Sequence, residues 1–228
     1  MFQSVRYKII VTMFAICLLP LKLGAQATIE NYNSVTDSRL IDPEDHNWLS
    51  YRGTLDGWGF SKLGQINADN VSDLEPVWSF STGVLGGHES PPIVNDGVMF
   101  ITTPGNLLYA IEAATGDLLW RYQHNLPENY IAFHRTNRGV ALYGDKVYMA
   151  TLDARVVALD ASTGEKVWDT TVQDNSFGYY ITMAPLAIDG KILVGTSGGE
   201  LGIRGFVVAL DAESGNEAWR TYTVPGPG

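Results

Sequence analysis

An all-β fold made of repeated four-stranded units is predicted by three features of the sequence. Six Trp, eleven Tyr and 24 Gly among 228 residues favour many short strands joined by tight turns. One pattern of residues recurs at intervals of about fifty residues. A hairpin signal, usually Asp-Gly between apolar runs, precedes each copy of that pattern. These features predict a β-propeller, because propeller blades are four-stranded units of about this length.

The recurring unit is an apolar strand, a turn ending in Ser/Thr-Gly, and a second strand that carries Trp. Its three copies are Leu107–Trp120, Val156–Trp168 and Val207–Trp219. In the middle copy Val156–Leu159 is apolar and β-branched, which favours a strand. Gly164 supplies the positive φ that a bulged hairpin needs. A β-solenoid or a two-sheet sandwich is the alternative, but four strands marked by Gly and Trp fit a blade better.

A second hairpin signal lies upstream of each copy. The three hairpins are Ile93–Ile101, Leu142–Met149 and Leu186–Val194. Each repeat therefore contains about four strands, and about three to four blades are expected in the chain. Asn67–Leu74 could form one short helical turn, and no other stretch has a convincing amphipathic helical period.

Three blades do not close a ring, since propellers typically need about four to eight. We therefore expect residues 28–228 to be the N-terminal part of a longer propeller domain, or a truncated gene product. Residues 1–27 form the other predicted unit, a secretory signal peptide.

The signal-peptide prediction depends on the order of charge, apolar run and small residues. Arg6 and Lys8 precede the apolar run Ile9–Leu19, and small residues follow at Gly24–Ala27. The run is shorter than the ~20 residues that span a bilayer, and a short membrane anchor is the alternative. We expect a periplasmic protein without stable membrane insertion after cleavage. Cys17 is the single cysteine, so the mature chain would lack disulfides.

The charge balance excludes two classes of partner. The formal net charge is −10, and no basic stripe interrupts it. A chain of this kind is a poor ligand for nucleic acid or for an anionic membrane surface.

A set of short motifs resembles PQQ-dependent (quinoprotein) alcohol and methanol dehydrogenases in the same order along the chain. The motifs are Lys62–Val71, Val77–Phe80, Gly87–Pro92, Asn137–Gly139, Ile181–Pro185, Ser197–Glu200 and Val224–Gly228. The resemblance implies an eight-bladed propeller that holds pyrroloquinoline quinone (PQQ) beside Ca²⁺ or a lanthanide ion. It implies an oxidoreductase that converts a small alcohol to an aldehyde and passes electrons to a cytochrome c-type acceptor.

PQQ is a flat tricyclic quinone with three carboxylates, so its site needs cations, hydrogen-bond donors, flat surfaces and a hard metal ion. By resemblance, Arg138 and Thr182 bind the cofactor, Ser197, Gly198 and Gly199 line it, and Glu200 is a metal ligand. Their residue types suit these roles. The alternatives are a surface arginine, a strand threonine and a turn with a solvated acid.

Glu89 matches a family glutamate near a PQQ carboxylate. Two facing carboxyl groups repel unless one is protonated or an arginine intervenes. We therefore expect either a shifted pKa at Glu89 or Arg138 close to it.

One departure from the family concerns two adjacent cysteines whose disulfide lies against the PQQ ring. Ala132 and Phe133 stand at those positions in this chain. The ring would instead pack on Phe133, or on His134 or Tyr130, since an aromatic face can stack. The alternative places Phe133 in the core.

The family's general-base aspartate, second metal ligand and ring-stacking tryptophan belong to later blades, and none of their motifs appears before Gly228. We predict no catalytic residue in this chain and no alcohol oxidation by it alone. A second hypothesis is a non-catalytic propeller that acts as an outer-membrane assembly scaffold or a sensor. Such a protein has no reason to keep the cofactor-binding residues.

Overall fold

The computed structural model describes residues 28–226, so the predicted signal peptide lies outside the described residues. Within that range, twelve strands form three four-stranded antiparallel sheets. The first sheet contains β1 (Ile93–Asn95), β2 (Val98–Thr103), β3 (Leu107–Glu112) and β4 (Leu118–Gln123); the second contains β5 (Val140–Tyr143), β6 (Lys146–Ala150), β7 (Arg155–Asp160) and β8 (Lys166–Thr171); the third contains β9 (Leu186–Ile188), β10 (Lys191–Gly195), β11 (Phe206–Asp211) and β12 (Glu217–Tyr222). Strands are paired in chain order in every sheet. The predicted all-β fold of four-stranded blades is confirmed.

The same irregularity recurs in each blade where the third strand pairs with the fourth. The register shifts between Ala110 and Ile111, between Ala158 and Leu159, and between Ala209 and Leu210. These alanines occupy one position of the sequence repeat, so the repeat encodes a bulge as well as a hairpin.

The Trp of one repeat docks on the turn of the next. Indole Nε1 groups donate to main-chain carbonyl oxygens, Trp78 to Ala113, Trp120 to Ala161 and Trp168 to Ala212, each at 3.0 Å. Trp78 precedes the first sheet and makes the same bond to the turn of the first repeat. These bonds fix the order and spacing of the blades.

The N-terminal segment pairs with main-chain groups of the first two blades. Main-chain groups of Val35 pair with Gly144, and those of Trp48 pair with Val94. The helix α1 (Asp37–Ile41) lies between these two pairings.

The helical turn expected within Asn67–Leu74 is reduced to one 3₁₀ turn at Val71–Asp73. The Asn70 side chain accepts from Asn67 N–H at 2.9 Å and donates to the Gln65 carbonyl at 2.7 Å, which favours a turn over a helix. None of the helices in residues 28–226 has the length and apolar composition needed to cross a membrane.

Candidate functional site

Arg138 lies at the centre of a hydrogen-bonded chain that joins three motifs. Its Nη2 is 2.9 Å from Glu89 Oε2, and its Nη1 donates to Thr182 Oγ1 at 2.6 Å. Thr182 Oγ1 is 3.4 Å from Ser197 Oγ. Residues far apart in sequence therefore form one polar surface. Of the two alternatives for Glu89, the structure shows the one with Arg138 beside it.

The main chain and Asn137 fix the position of Arg138. Arg138 N–H donates to the Thr182 carbonyl at 2.9 Å, so the backbone and the side chain of Arg138 both bond Thr182. Asn137 is fully buried, donates to the Ala150 carbonyl at 2.9 Å and accepts from Gly139 N–H at 3.0 Å. The guanidinium is held in place while the side chain stays 39% exposed, which leaves N–H groups available to a ligand.

The segment that contains Ser197 and Gly198 meets the strand-like segment around Tyr180. Ser197 N–H donates to the Tyr180 carbonyl at 2.8 Å, and Tyr180 N–H donates back to Ser197 at 3.3 Å. A Cβ on Gly198 would lie 2.1 Å from the Gly178 carbonyl oxygen, and Gly198 has a φ of 115°. Only glycine allows this approach. A Cβ on Gly199 would meet open space.

Glu200 is the middle residue of a 3₁₀ turn at Gly199–Leu201, and its side chain is exposed. The Tyr180 hydroxyl donates a hydrogen bond to Glu200 Oε1. This hydrogen bond is the largest cause of a lowered pKa at the Glu200 carboxyl. A hydrogen bond from the main chain of Glu200 and the electrostatic effect of His134 lower the pKa further. Burial and the neighbouring carboxylate raise the pKa of Tyr180 to about 12, so Tyr180 remains a neutral donor. Glu200 is therefore a carboxylate in the form that a hard cation binds.

Phe133 lies in a loop beside these residues, and within the described residues its side chain is 62% exposed and not packed in the core. The loop borders a cleft of about 540 Å³ that is also lined by Glu89, Tyr130 and His134. Asn175 secures the loop, because its Oδ1 accepts from Ile131 N–H at 2.7 Å and its Nδ2 donates to the Ile131 carbonyl at 2.8 Å.

Three residues that position this site are not distinguished by the sequence. Asn137 stands out only as part of the Asn137–Gly139 motif, and neither Asn175 nor Tyr180 carries a motif of its own. The buried position of Asn137 and the four bonds made by Asn175 are tertiary facts that a single sequence does not contain. The adjacent tyrosines at 179 and 180 were the one available signal.

The residues present fit one side of a PQQ and metal site. They supply an arginine for a carboxylate, hydroxyl donors at Thr182 and Ser197, a glycine beside open space, and the Glu200 carboxylate. No group of three or more His, Cys, Asp and Glu side chains that could hold a metal ion occurs within residues 28–226. Glu200 can therefore supply one ligand of a larger set.

Comparison with known proteins identifies related sequences and structures. The family model described as "PQQ: Glucose/ethanol/alcohol dehydrogenase, beta-propeller domain" matches residues 48–225. Quinohemoprotein alcohol dehydrogenase ADH-IIG of Pseudomonas putida is 42% identical over 85% of this chain and 28% of its own length. Quinoprotein alcohol dehydrogenase PedH of Pseudomonas putida is 36% identical over 99% of this chain and 38% of its own length. A solved structure of a europium-containing methanol dehydrogenase matches with a TM-score of 0.77 and 38% identity, over 82% of this chain and 33% of that one. The chain thus spans less than two thirds of the length of these relatives.

Proposed function

The chain belongs to the PQQ-binding glucose/ethanol/alcohol dehydrogenase β-propeller family, and on that premise we propose that it supplies one side of a PQQ and metal site in a periplasmic alcohol dehydrogenase. The observation that carries this proposal is the continuous chain of contacts from Glu89 through Arg138 and Thr182 to Ser197. A propeller that acted only as a scaffold would not need a half-exposed arginine fixed by two polar partners.

Arg138 would bind a carboxylate or quinone oxygen of PQQ with the N–H groups that Glu89 and Thr182 leave free. The positive charge between Glu89 and the ligand removes the repulsion between two carboxylates. PQQ held here would supply the two-electron oxidant for the conversion of an alcohol to an aldehyde. The residues of this chain bind and orient the cofactor, and we assign no catalytic base among them.

Phe133 would provide a flat surface for the cofactor ring in place of the family's cysteine pair. Its exposed ring lies beside Tyr130 and His134 along the cleft that also contains Glu89. An aromatic face stacks on a flat conjugated ring, whereas a buried one could not reach it.

Glu200 would be a ligand to Ca²⁺ or to a lanthanide ion. Hard cations of this kind prefer carboxylate oxygens, and the lowered pKa of Glu200 keeps the group ionised. A related structure is a europium-containing methanol dehydrogenase, which supports including lanthanides. Two relatives are called quinohemoproteins, which supports a cytochrome c-type acceptor of the electrons. The basic and apolar start of the chain supports export to the periplasm.

The test measures the affinity of the protein, at its natural length, for PQQ. PQQ is titrated into the protein and binding is monitored by fluorescence. Arg138→Lys keeps the charge and removes the planar fork, and we expect it to weaken PQQ binding about tenfold or more. Arg155→Lys is the matched control, because Arg155 pairs with Asp169 within the second blade. Equal PQQ affinity in the two variants, or no PQQ binding by the unaltered protein, would contradict the proposal.

A further inference from the structure

The Tyr180 hydroxyl occupies an unusual position between a buried core and an exposed carboxylate. Tyr180 is only 1% exposed, whereas Glu200, which accepts its hydrogen bond, lies at the surface. The Tyr180 hydroxyl therefore links a buried ring directly to the exposed Glu200 carboxylate.

The position of this hydroxyl is fixed by its backbone. Tyr180 is paired through both main-chain groups with Ser197, and Gly198 approaches the Gly178 carbonyl as closely as glycine permits. Asn175 also bonds the Tyr179 carbonyl at 2.7 Å while it bonds Ile131. The loop, the tyrosine and the Ser197–Glu200 segment thus form one connected unit.

An exposed glutamate ordinarily samples many rotamers, and a metal ion must then order it at an entropic cost. A donor that holds one carboxylate oxygen reduces this cost before the ion arrives. A neutral hydroxyl suits this task better than a cation, because Lys or Arg at the same place would oppose the charge of the metal.

We propose that Tyr180 is a positioning residue that holds Glu200 in its metal-binding orientation. This inference rests on the proposed function, since it needs Glu200 to be a metal ligand. Tyr180 acts through Glu200 and does not itself touch a reacting atom.

The experiment measures the affinity of the PQQ-containing protein, at its natural length, for La³⁺ and Ca²⁺ by calorimetry. Tyr180→Phe keeps the ring and removes the hydroxyl, and we expect about 10–100-fold weaker metal binding, as for other partners of ligating side chains. Tyr179→Phe is the matched control, because the Tyr179 hydroxyl bonds only main-chain groups of Arg204, at 3.2 and 3.3 Å, among its described hydrogen bonds. Its metal affinity should equal that of the unaltered protein.

A third variant, Glu200→Gln, distinguishes failure of the inference about Tyr180 from failure of the proposed function. Glu200 is exposed, so we expect this variant to fold. Loss of metal binding in Glu200→Gln together with unchanged affinity in Tyr180→Phe would overturn the inference and leave the proposed function intact. Unchanged affinity in Glu200→Gln would overturn both, since Tyr180 cannot position a ligand that does not bind. Reduced affinity in Tyr180→Phe, with a melting temperature equal to that of Tyr179→Phe, supports the inference.

Discussion

Arg138 illustrates how much a single residue depends on partners from distant parts of the chain. Its guanidinium is held between the Glu89 carboxylate and the Thr182 hydroxyl, which come from two other motifs. The sequence offered residue types and a resemblance, and these were enough to select Arg138, Glu89 and Thr182. It could not select Tyr180, because a tyrosine between apolar residues is more often packed in the core than used at a site.

A second residue-level feature lies away from this site, between the first two blades. His124 Nε2 is 3.0 Å from both Asp153 oxygens, and Thr151 Oγ1 donates to Asp153 Oδ1 at 2.6 Å. Burial raises the pKa of Asp153, but the hydrogen bonds and charge of its partners outweigh it and hold the pKa below its usual value. The ionised carboxylate therefore stabilises the contact between the first two blades.

Replacing Asp153 should weaken the fold in a pH-dependent way. We expect Asp153→Ala to lower the free energy of unfolding by about 1–3 kcal/mol at pH 7, because His124 and Thr151 lose a buried partner. The stabilisation by Asp153 is present above the unfolded pKa of about 3.9 and is lost as the pH falls through the lower folded value. The difference between the two proteins should therefore shrink towards pH 3 in urea unfolding experiments.

The control for this measurement is Asp117→Ala, which removes an exposed turn carboxylate. Its effect should stay within about 0.5 kcal/mol. Tyr122 also faces Asp153, but burial raises its pKa and it stays neutral across the acid range. An Asp153→Ala deficit that is constant from pH 7 to pH 3 would rule out the ionised carboxylate as its source.

At the scale of elements, the hairpins could be predicted because their signals are local. Gly164 has the expected positive φ of 73°, and the Asp160 carboxylate accepts from Ser162 and Thr163 N–H groups in the turn. Each blade repeats this turn, so the three copies in the sequence support the same prediction of a hairpin. The loop around Phe133 and the pairing of Tyr180 with Ser197 lie between repeats. No local signal specifies them, because they depend on contacts between segments that are distant in the sequence.

Because Trp docks on the neighbouring turn, we expect substitution of two turn glycines by Ala to lower the free energy of unfolding by different amounts. A Cβ on Gly164 would lie 2.6 Å from the Trp120 ring, whereas a Cβ on Gly190 would meet nothing within 4 Å. Both residues have positive φ, so each Ala variant bears a backbone strain of about 1–2 kcal/mol. Gly164→Ala should cost a further 1–3 kcal/mol, approximately, from overpacking.

Urea unfolding of both variants measures this difference, with Gly190→Ala as the control for strain alone. Equal destabilisation by the two substitutions would show that contact with Trp120 does not restrict the turn.

At the scale of the whole molecule, the described blades differ in how well the Trp of each repeat is covered. Trp120 is fully buried against the next blade, whereas Trp219, at the same position of the third repeat, is 41% exposed. Apolar side chains before the first sheet are also exposed, among them Trp58 and Phe60. The blade architecture could be predicted from the repeat alone. Prediction of the site residues needed the family resemblance, because Arg138 and Glu200 do not occupy positions of the repeat.

The most direct test of the central claim is a diffraction experiment on crystals of the protein grown with PQQ and La³⁺. We expect PQQ density in contact with Arg138, Thr182 and Ser197. We also expect an anomalous La³⁺ peak about 2.3–2.6 Å from the Glu200 carboxylate, the range for hard cations of this size. A La³⁺ peak or PQQ density at another place, with this surface empty, would contradict it.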